Sequence, residues 1–317
     1  MKWKNLKVEK NPQPPVEDGR IGESMKVLSF GSLNMDYVYT LDHIVVPGET
    51  ESSTIRNVFT GGKGLNQSIA MARAGLAVHH AGLVGEEGTP LIEALEEAGV
   101  DASLVKILDA PTGHTFIQVN KEGQNSIVLF GGTNQMVTEE YIDEALAGFS
   151  KGDLILLQNE INMLDVIIDK AYAKGMIVAL NPSPFDRKIL ACDLGKVSLF
   201  FVNEVEGSQI SGESANEPEK ILDWFDANLA GANIVLTLGT QGAWYRNLDG
   251  ARTWQPAVKT EAVDTTAAGD TFTGYFLQGW IQAMPISACM ARAAKAAAIA
   301  VSREGAAPSI PTRDEVE

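Results

Sequence analysis

Val263-Asp264-Thr265-Thr266-Ala267-Ala268-Gly269-Asp270-Thr271-Phe272-Thr273-Gly274-Tyr275-Phe276 decides how the rest of this chain is read. Ala267, Ala268 and Gly269 are small residues where a loop turns into a helix. Phe272, Tyr275, Phe276 and Gly279 follow at the spacing of a packed helical face. A helix N-terminus presents unpaired N–H groups and a partial positive charge, and small side chains let an anion approach them. Asp270 is out of place at such a mouth unless it acts, because a carboxylate repels a phosphate. Two readings stay open on these residues alone. Asp270 is a first-turn acid that favours the helix, or it takes the proton from a hydroxyl that attacks phosphorus.

Composition narrows the classes. The 317 residues, 45% of them hydrophobic, are enough for one large core or two smaller ones. With 25 basic against 41 acidic side chains, the formal charge of −16 disfavours nucleic acid and anionic membranes as partners. It leaves room for a phosphorylated small molecule held by local N–H groups and a lysine. Cys192 and Cys289 lie far apart, and the four histidines show no metal-ligand spacing. Neither an apolar signal core nor a bilayer-length apolar run is apparent, so a cytoplasmic protein is expected.

Residues 1–24, rich in charge and proline, read as a poorly ordered extension before a fold that starts near Met25. Apolar runs at 27–31, 154–157, 177–180, 199–202 and 234–238, with helical stretches at 64–74, 163–174 and 287–301, argue for a mostly parallel sheet covered on both faces. Half-apolar segments at 37–60 and 113–130, the second a hairpin turning at Asn120–Gly123, form a small β layer suited to a lid or a dimer surface.

Further polar clusters sit at the ends of these runs. Gly61-Gly62-Lys63-Gly64-Leu65-Asn66-Gln67 is a glycine-rich turn opening a helix, with neither the Walker A spacing nor GxGxxG. Asn34 and Asp36, two residues apart on extended chain, share a face and make a bidentate grip for sugar hydroxyls. Asn203 to Glu206 closes one strand, where a carboxylate can hold Mg²⁺ through water, and Thr237 to Gly242 closes another.

In this order, Gly-Gly-Lys-Gly-x-Asn-Gln at 61–67, Asn203-x-x-Glu206 and Asp264 to Phe272 resemble the ribokinase-like (PfkB) carbohydrate kinases over about residues 25–312. The resemblance implies a three-layer α/β/α body with a mostly parallel central sheet and a small β lid, the whole spanning 25–317. It implies ATP with Mg²⁺, K⁺ or another monovalent cation, a small sugar, and a homodimer formed through the lid. Asn34, Asp36, Gly62, Lys63, Asn66 and Glu160 match sugar-binding positions. Asp270 matches the catalytic base, and Ala267, Ala268 and Gly269 match the anion hole. Asn203, Thr237, Gly239, Thr240 and Gly242, with Gly269, match nucleotide-binding positions, and Glu206 the acid that organises Mg²⁺. Asp264, Thr266, Ala300, Arg303, Gly305 and Ser309 match the monovalent-cation site. The lysine and the Gly31–Asp36 opening look more like ribose-phosphorylating members than fructokinase-type ones, so ribose is the expected acceptor. Another sugar (fructose, deoxyribose), an adenosine-like nucleoside, or a sensor that has lost catalysis are the alternatives. Departures are the 1–24 extension, Ala294 where relatives often place Asn or His near adenine, and His114, expected on the surface of the lid hairpin.

Overall fold

The computed structural model describes residues 25–317; the 1–24 extension lies outside the described residues. Its strands are β1 (Val27–Phe30), β2 (Asn34–Thr40), β3 (Ile55–Gly61), β4 (Val78–Gly85), β5 (Asp101–Leu108), β6 (Gly113–Val119), β7 (Asn125–Phe130), β8 (Leu154–Gln158), β9 (Ile177–Asn181), β10 (Leu199–Asn203), β11 (Asn233–Thr237), β12 (Ala243–Arg246) and β13 (Arg252–Gln255). The α-helices are α1 (Lys63–Arg73), α2 (Thr89–Glu97), α3 (Glu139–Leu146), α4 (Leu164–Ala173), α5 (Glu204–Ser211), α6 (Pro218–Asn228), α7 (Ala268–Ile281), α8 (Ile286–Val301) and α9 (Arg313–Val316).

Among the described residues the large sheet has the order β13-β12-β11-β10-β9-β8-β1-β4-β5, parallel from β11 to β5 and antiparallel only at the β12–β13 edge. Its central strands are apolar on both faces because both are covered. Successive residues feed opposite layers: Phe201 joins the α1–α2–α7–α8 side, Phe200 the α3–α4–α5–α6 side. This is the expected three-layer body. The sequence runs at 154–157, 177–180, 199–202 and 234–238 correspond to β8–β11 within a residue or two, while β4 and β5 extend the sheet beyond them.

The lid is a separate sheet of order β3-β2-β6-β7. It differs from the expected 37–60 and 113–130 at one important place. Asn34 and Asp36 do not end the first core strand; they open β2, the lid's own strand, pairing with Gly61 and Phe59 of β3 and with Gly113 and Thr115 of β6. Ser32 and Leu33 make the crossing between sheets, which the continuous polar-apolar pattern of 31–36 concealed. The hairpin at 120–123 forms as expected, Asn120 N–H donating to Gln124 O at 3.0 Å.

Helices α1 and α7 pack closely, and one glycine sets their approach. A Cβ on Gly274 would lie 2.5 Å from Ala70 Cβ and 2.7 Å from Met71 N. Gly274→Val is therefore expected to destabilise the protein by about 1–3 kcal/mol through overpacking, measured as a lowered urea midpoint at unchanged m-value.

Candidate active site

Four polar residues occupy the last position of neighbouring parallel strands: Gln158 of β8, Asn181 of β9, Asn203 of β10 and Thr237 of β11. Asn181, Asn203 and Thr237 are partly exposed where the apolar runs stop, whereas Gln158 is fully buried, and ligands bind at such carboxyl ends in open α/β sheets. Between this edge, the N-terminus of α7 and the inner face of the lid lies a cleft of about 900 Å³. It is lined by Asn34, Asp36, Gly62, Lys63, Asn66, Glu160, Asn203, Glu206, Thr237, Asp264, Thr266, Ala267, Ala268, Gly269, Asp270 and Gly305, among others. Residues separated by more than two hundred positions thus converge as the sequence motifs anticipated.

At the mouth of α7, Ala267 takes the left-handed conformation, φ 60°. That turn of the backbone starts the helix at Ala268, so the N–H groups of Gly269 and Asp270 fall in the first turn, without intrahelical acceptors. A Cβ placed on Gly269 would meet nothing within 4 Å. Asp270 is buried, 7% exposed. Gln67 Nε2 donates to its Oδ1 at 2.8 Å and Asn66 Nδ2 to its Oδ2 at 3.3 Å.

Lys63 and Glu160 sit across from this acid. Glu160 Oε2 accepts from the Lys63 N–H at 3.1 Å and from the Ser32 hydroxyl. Burial works against the Lys63 charge, yet the combined field of Asp270, Glu160 and Glu206 outweighs it and raises its pKa. Glu206 and Asn203 form a capping box at the start of α5: Glu206 N–H donates to Asn203 Oδ1 at 2.8 Å, Asn203 N–H to Glu206 Oε2 at 3.1 Å. This leaves Glu206 Oε1 for an incoming hard cation or its water. The Asp264 carboxylate is held by Thr266 N–H (2.8 Å), Thr266 Oγ1 (2.6 Å) and Gly305 N–H (3.0 Å).

Asp36 and Asn34 reach the cleft from β2. Thr115 Oγ1 donates to Asp36 Oδ1 at 2.6 Å, and Asn134 Nδ2 to Asn34 Oδ1 at 2.8 Å. Gly61 must lack a side chain here, since a Cβ would lie 2.0 Å from Asp36 Oδ2. Ser32, Thr115 and Asn134 were not singled out from sequence; each acts through a partner that was.

Some expected residues stand elsewhere. Gly239, Thr240 and Gly242 follow β11 but are not among the residues lining the cleft. Gly242 has a structural cause: at φ +111° a Cβ would lie 2.3 Å from Gln255 O. Ala300, Arg303 and Ser309 also lie off the cleft, although Asp264, Thr266 and Gly305 line it. Arg303 pairs with Glu315 at 2.5 Å, and Ser309 Oγ donates to Ala306 O at 2.8 Å. Ala294 is buried in the core beside α7 rather than in the cleft. His114 lies on the outer lid face against Tyr37, Phe116 and Phe130. No helix among the described residues is long and apolar enough to cross a membrane.

Comparison with known proteins agrees with this geometry. A model of the pfkB family of carbohydrate kinases matches residues 24–313. The ribokinase of Staphylococcus aureus (strain COL) is 32% identical over 303 residues, spanning 92% of this chain and 98% of its own. The crystal structure of ribokinase from Cryptococcus neoformans var. grubii serotype A in complex with ADP superposes with a TM-score of 0.81 at 33% identity, covering 92% of this chain and 99% of that one. The Arabidopsis thaliana ribokinase complexed with ribose and ATP gives 0.81 at 26% identity, with 93% and 98% covered. The chain belongs to the pfkB family of carbohydrate kinases, and it is a phosphotransferase acting on a sugar hydroxyl.

Asp36 yields a test independent of turnover. Burial lifts its pKa from 3.8 to about 6, opposed by the Thr115 hydrogen bond and aided by the Glu160 charge. Between these values the folded protein holds a proton that the unfolded chain has lost. The contribution of Asp36 to stability is therefore full below 3.8 and declines as the pH rises through about 6. A shift of this size corresponds to about 2–3 kcal/mol. Asp36→Asn, which keeps an acceptor for Thr115, is expected to be more stable than wild type at pH 8 by about 1–3 kcal/mol. The gain should vanish near pH 4, read from urea unfolding at both pH values.

Proposed function

We propose that the enzyme transfers the γ-phosphate of ATP to the primary 5-hydroxyl of D-ribose, with Asp270 as general base. The observation that carries this reading is the pairing of a buried carboxylate with an open helix mouth: Asp270 is 7% exposed, and the space beside Gly269 is empty to 4 Å. A phosphoryl group in that space would meet the first-turn N–H groups of α7 and sit next to a base.

Asn34, Asp36, Lys63, Asn66 and Glu160 orient the sugar. Asp270 takes the proton from the attacking hydroxyl as its oxygen bonds to phosphorus. The N–H groups of Gly269 and Asp270 meet the charge that spreads over the phosphoryl oxygens. Asn203 and Thr237, at their strand ends, would hold the nucleotide, with Gly239, Thr240 and Gly242 following on the same turn. The lid covers the sugar and keeps water from competing for the phosphoryl group.

The charge of the cleft bears on the cofactor. Asp36, Glu160, Glu206, Asp264, Asp270 and Glu304 line it against the Lys63 ammonium, the one basic side chain among the described residues that line it. A nucleoside triphosphate entering such a field needs cations with it. Mg²⁺ would neutralise the β and γ phosphates, with Glu206 holding it through water. For a monovalent cation such as K⁺ we propose the loop around Asp264, Thr266 and Gly305, with Ala300, Arg303 and Ser309 flanking it. Cys192 and Cys289 are buried free thiols, which suits the reducing cytoplasm expected for the enzyme.

A panel of ribose, deoxyribose, fructose and nucleosides, read as ADP release, tests the substrate. Ribose is expected to give the highest kcat/KM, and no sugar-dependent ADP release would mean a sensor instead. Asp270→Asn is expected to bind both substrates and to lose turnover by at least about 10²–10³-fold, the scale of losing one aimed catalytic group. Near-normal turnover in that variant would sink the assignment.

We further propose that the outer lid face joins two copies. Val58, Tyr37, Phe116 and Val128 form one row across all four lid strands on the face opposite the cleft. Val58, Phe116, Val128 and Phe130 are exposed in the single chain. Sedimentation should show a dimer for the wild type and a monomer for Phe116→Glu; an unchanged mass for the variant would contradict the interface.

A further inference from the structure

The acid proposed as the base is not held by the cleft alone. Gln67 Nε2 donates to Asp270 Oδ1 at 2.8 Å, and Gln158 Nε2 donates to Gln67 Oε1 at 2.7 Å. Both glutamines are fully buried at 0% exposure, and neither is among the residues lining the cleft. An ionised carboxylate only accepts, so Gln67 must turn its NH₂ to Asp270 and its oxygen away. That oxygen in turn demands the NH₂ of Gln158. Reversing either amide would set two oxygens against each other, so the chain of bonds runs in one direction only.

Stability does not account for Gln158. Its Oε1 is buried without a partner among the described residues. It occupies the space that a Gly31 side chain would take, where a Cβ would lie 1.9 Å from it. An orphaned acceptor in the core is unfavourable, and an apolar side chain of similar volume would avoid it. What the amide provides is direction: β8 lies inside the sheet between β1 and β9, and Gln158 ties its rigid end to α1 and through α1 to α7.

We infer that Gln158 and Gln67 form a two-amide relay that orients the Asp270 carboxylate, fixing Oδ1 so that Oδ2 is presented to the acceptor hydroxyl. Both are positioning residues, since neither touches the cleft. Asn66 then supplies only the longer 3.3 Å bond to Oδ2, leaving that oxygen able to take the proton. The inference rests on the reading of Asp270 as base.

The test uses Gln67→Met and Gln158→Met, both close in volume to glutamine, with steady-state kinetics on the sugar that the wild type turns over fastest. For Gln67→Met, kcat should fall about 10–100-fold, the scale of a base displaced by an ångström. The KM values for sugar and ATP should stay within about threefold, because no cleft contact is lost. Gln158→Met should lower kcat in the same direction by a smaller factor, and it carries the test if circular dichroism shows Gln67→Met unfolded. In an Asp270→Asn background, Gln67→Met should cause no further loss, as expected of residues acting as one unit. Folded variants with kcat within about twofold of wild type, or a loss confined to KM, would overturn the relay. An inactive Asp270→Asn beside a wild-type-like Gln67→Met rejects the relay alone, whereas an active Asp270→Asn rejects the base itself.

Discussion

The close contact of α1 with α7 is the constraint on which the rest of the site depends. Asp270 and Gly274 are four residues apart on α7, as Asn66 and Ala70 are on α1, so each pair shares a helical face. Gly274 lets the backbone of α1 come within van der Waals reach, and that spacing lets short amides span from α1 to the Asp270 carboxylate. A bulkier residue at 274 would separate the helices by more than Asn66 and Gln67 can bridge. The same helices open at Gly61–Gly64 and at Ala267–Gly269, so one packing contact sets the distance between these two helix mouths.

The electrostatics of the cleft follow from where its charges are anchored. Carboxylates collect there because each is held by an element needed anyway: Glu206 closes a capping box, Asp264 braces a turn, and Glu160 accepts from the first N–H of α1. Lys63 is the counterweight, its charged form favoured although burial opposes it. A site so acidic discriminates against a bare polyanion and accepts one whose charge is already partly neutralised. Under the proposed function, acidity would serve selectivity for a metal-complexed nucleotide and leave transition-state charge to backbone N–H groups, which need no counter-charge of their own.

Much of this was legible in the sequence because the signals are local. A loop of small residues before an apolar helical face fixes a helix start, and an apolar run ending in Asn or Thr marks a strand end at the sheet edge. The two glycine-rich motifs therefore fell where the structure has them. What was hidden depends on long-range pairing. Nothing in Gly31–Asp36 reveals that the chain changes sheets at Ser32–Leu33, because β2 is specified by its partners β3 and β6 and not by its own pattern. Ser32, Asn134 and Gln158 lie off the cleft and bond to residues brought to them by the fold, so their positions have no sequence spacing to betray them. In the 300–309 segment the motif's spacing gives no hint that the Arg303 side chain pairs with Glu315 of α9.

The placement of Asn34 and Asp36 on β2 has a mechanical consequence. Lys63, Asn66 and Asp270 are mounted on helices packed in the body, while Asn34 and Asp36 belong to the lid sheet, joined to the body through Ser32–Leu33, Gly61–Gly62 and the Asn134–Asn34 hydrogen bond. Any displacement of the lid carries Asn34 and Asp36 with it. Its inner face offers Val38, Phe59, Ile117, Ile127 and Leu129 to the cleft, an apolar surface that gains by covering a ligand and leaving water. Under the proposed function, sugar binding and exclusion of water would be the same motion, the hydroxyls bonded to Asp36 drawing down the strand whose neighbours form the roof. Burial lifts the pKa of Asp36 to about 6, so a hydroxyl that donates to it would offset part of the cost of its buried charge.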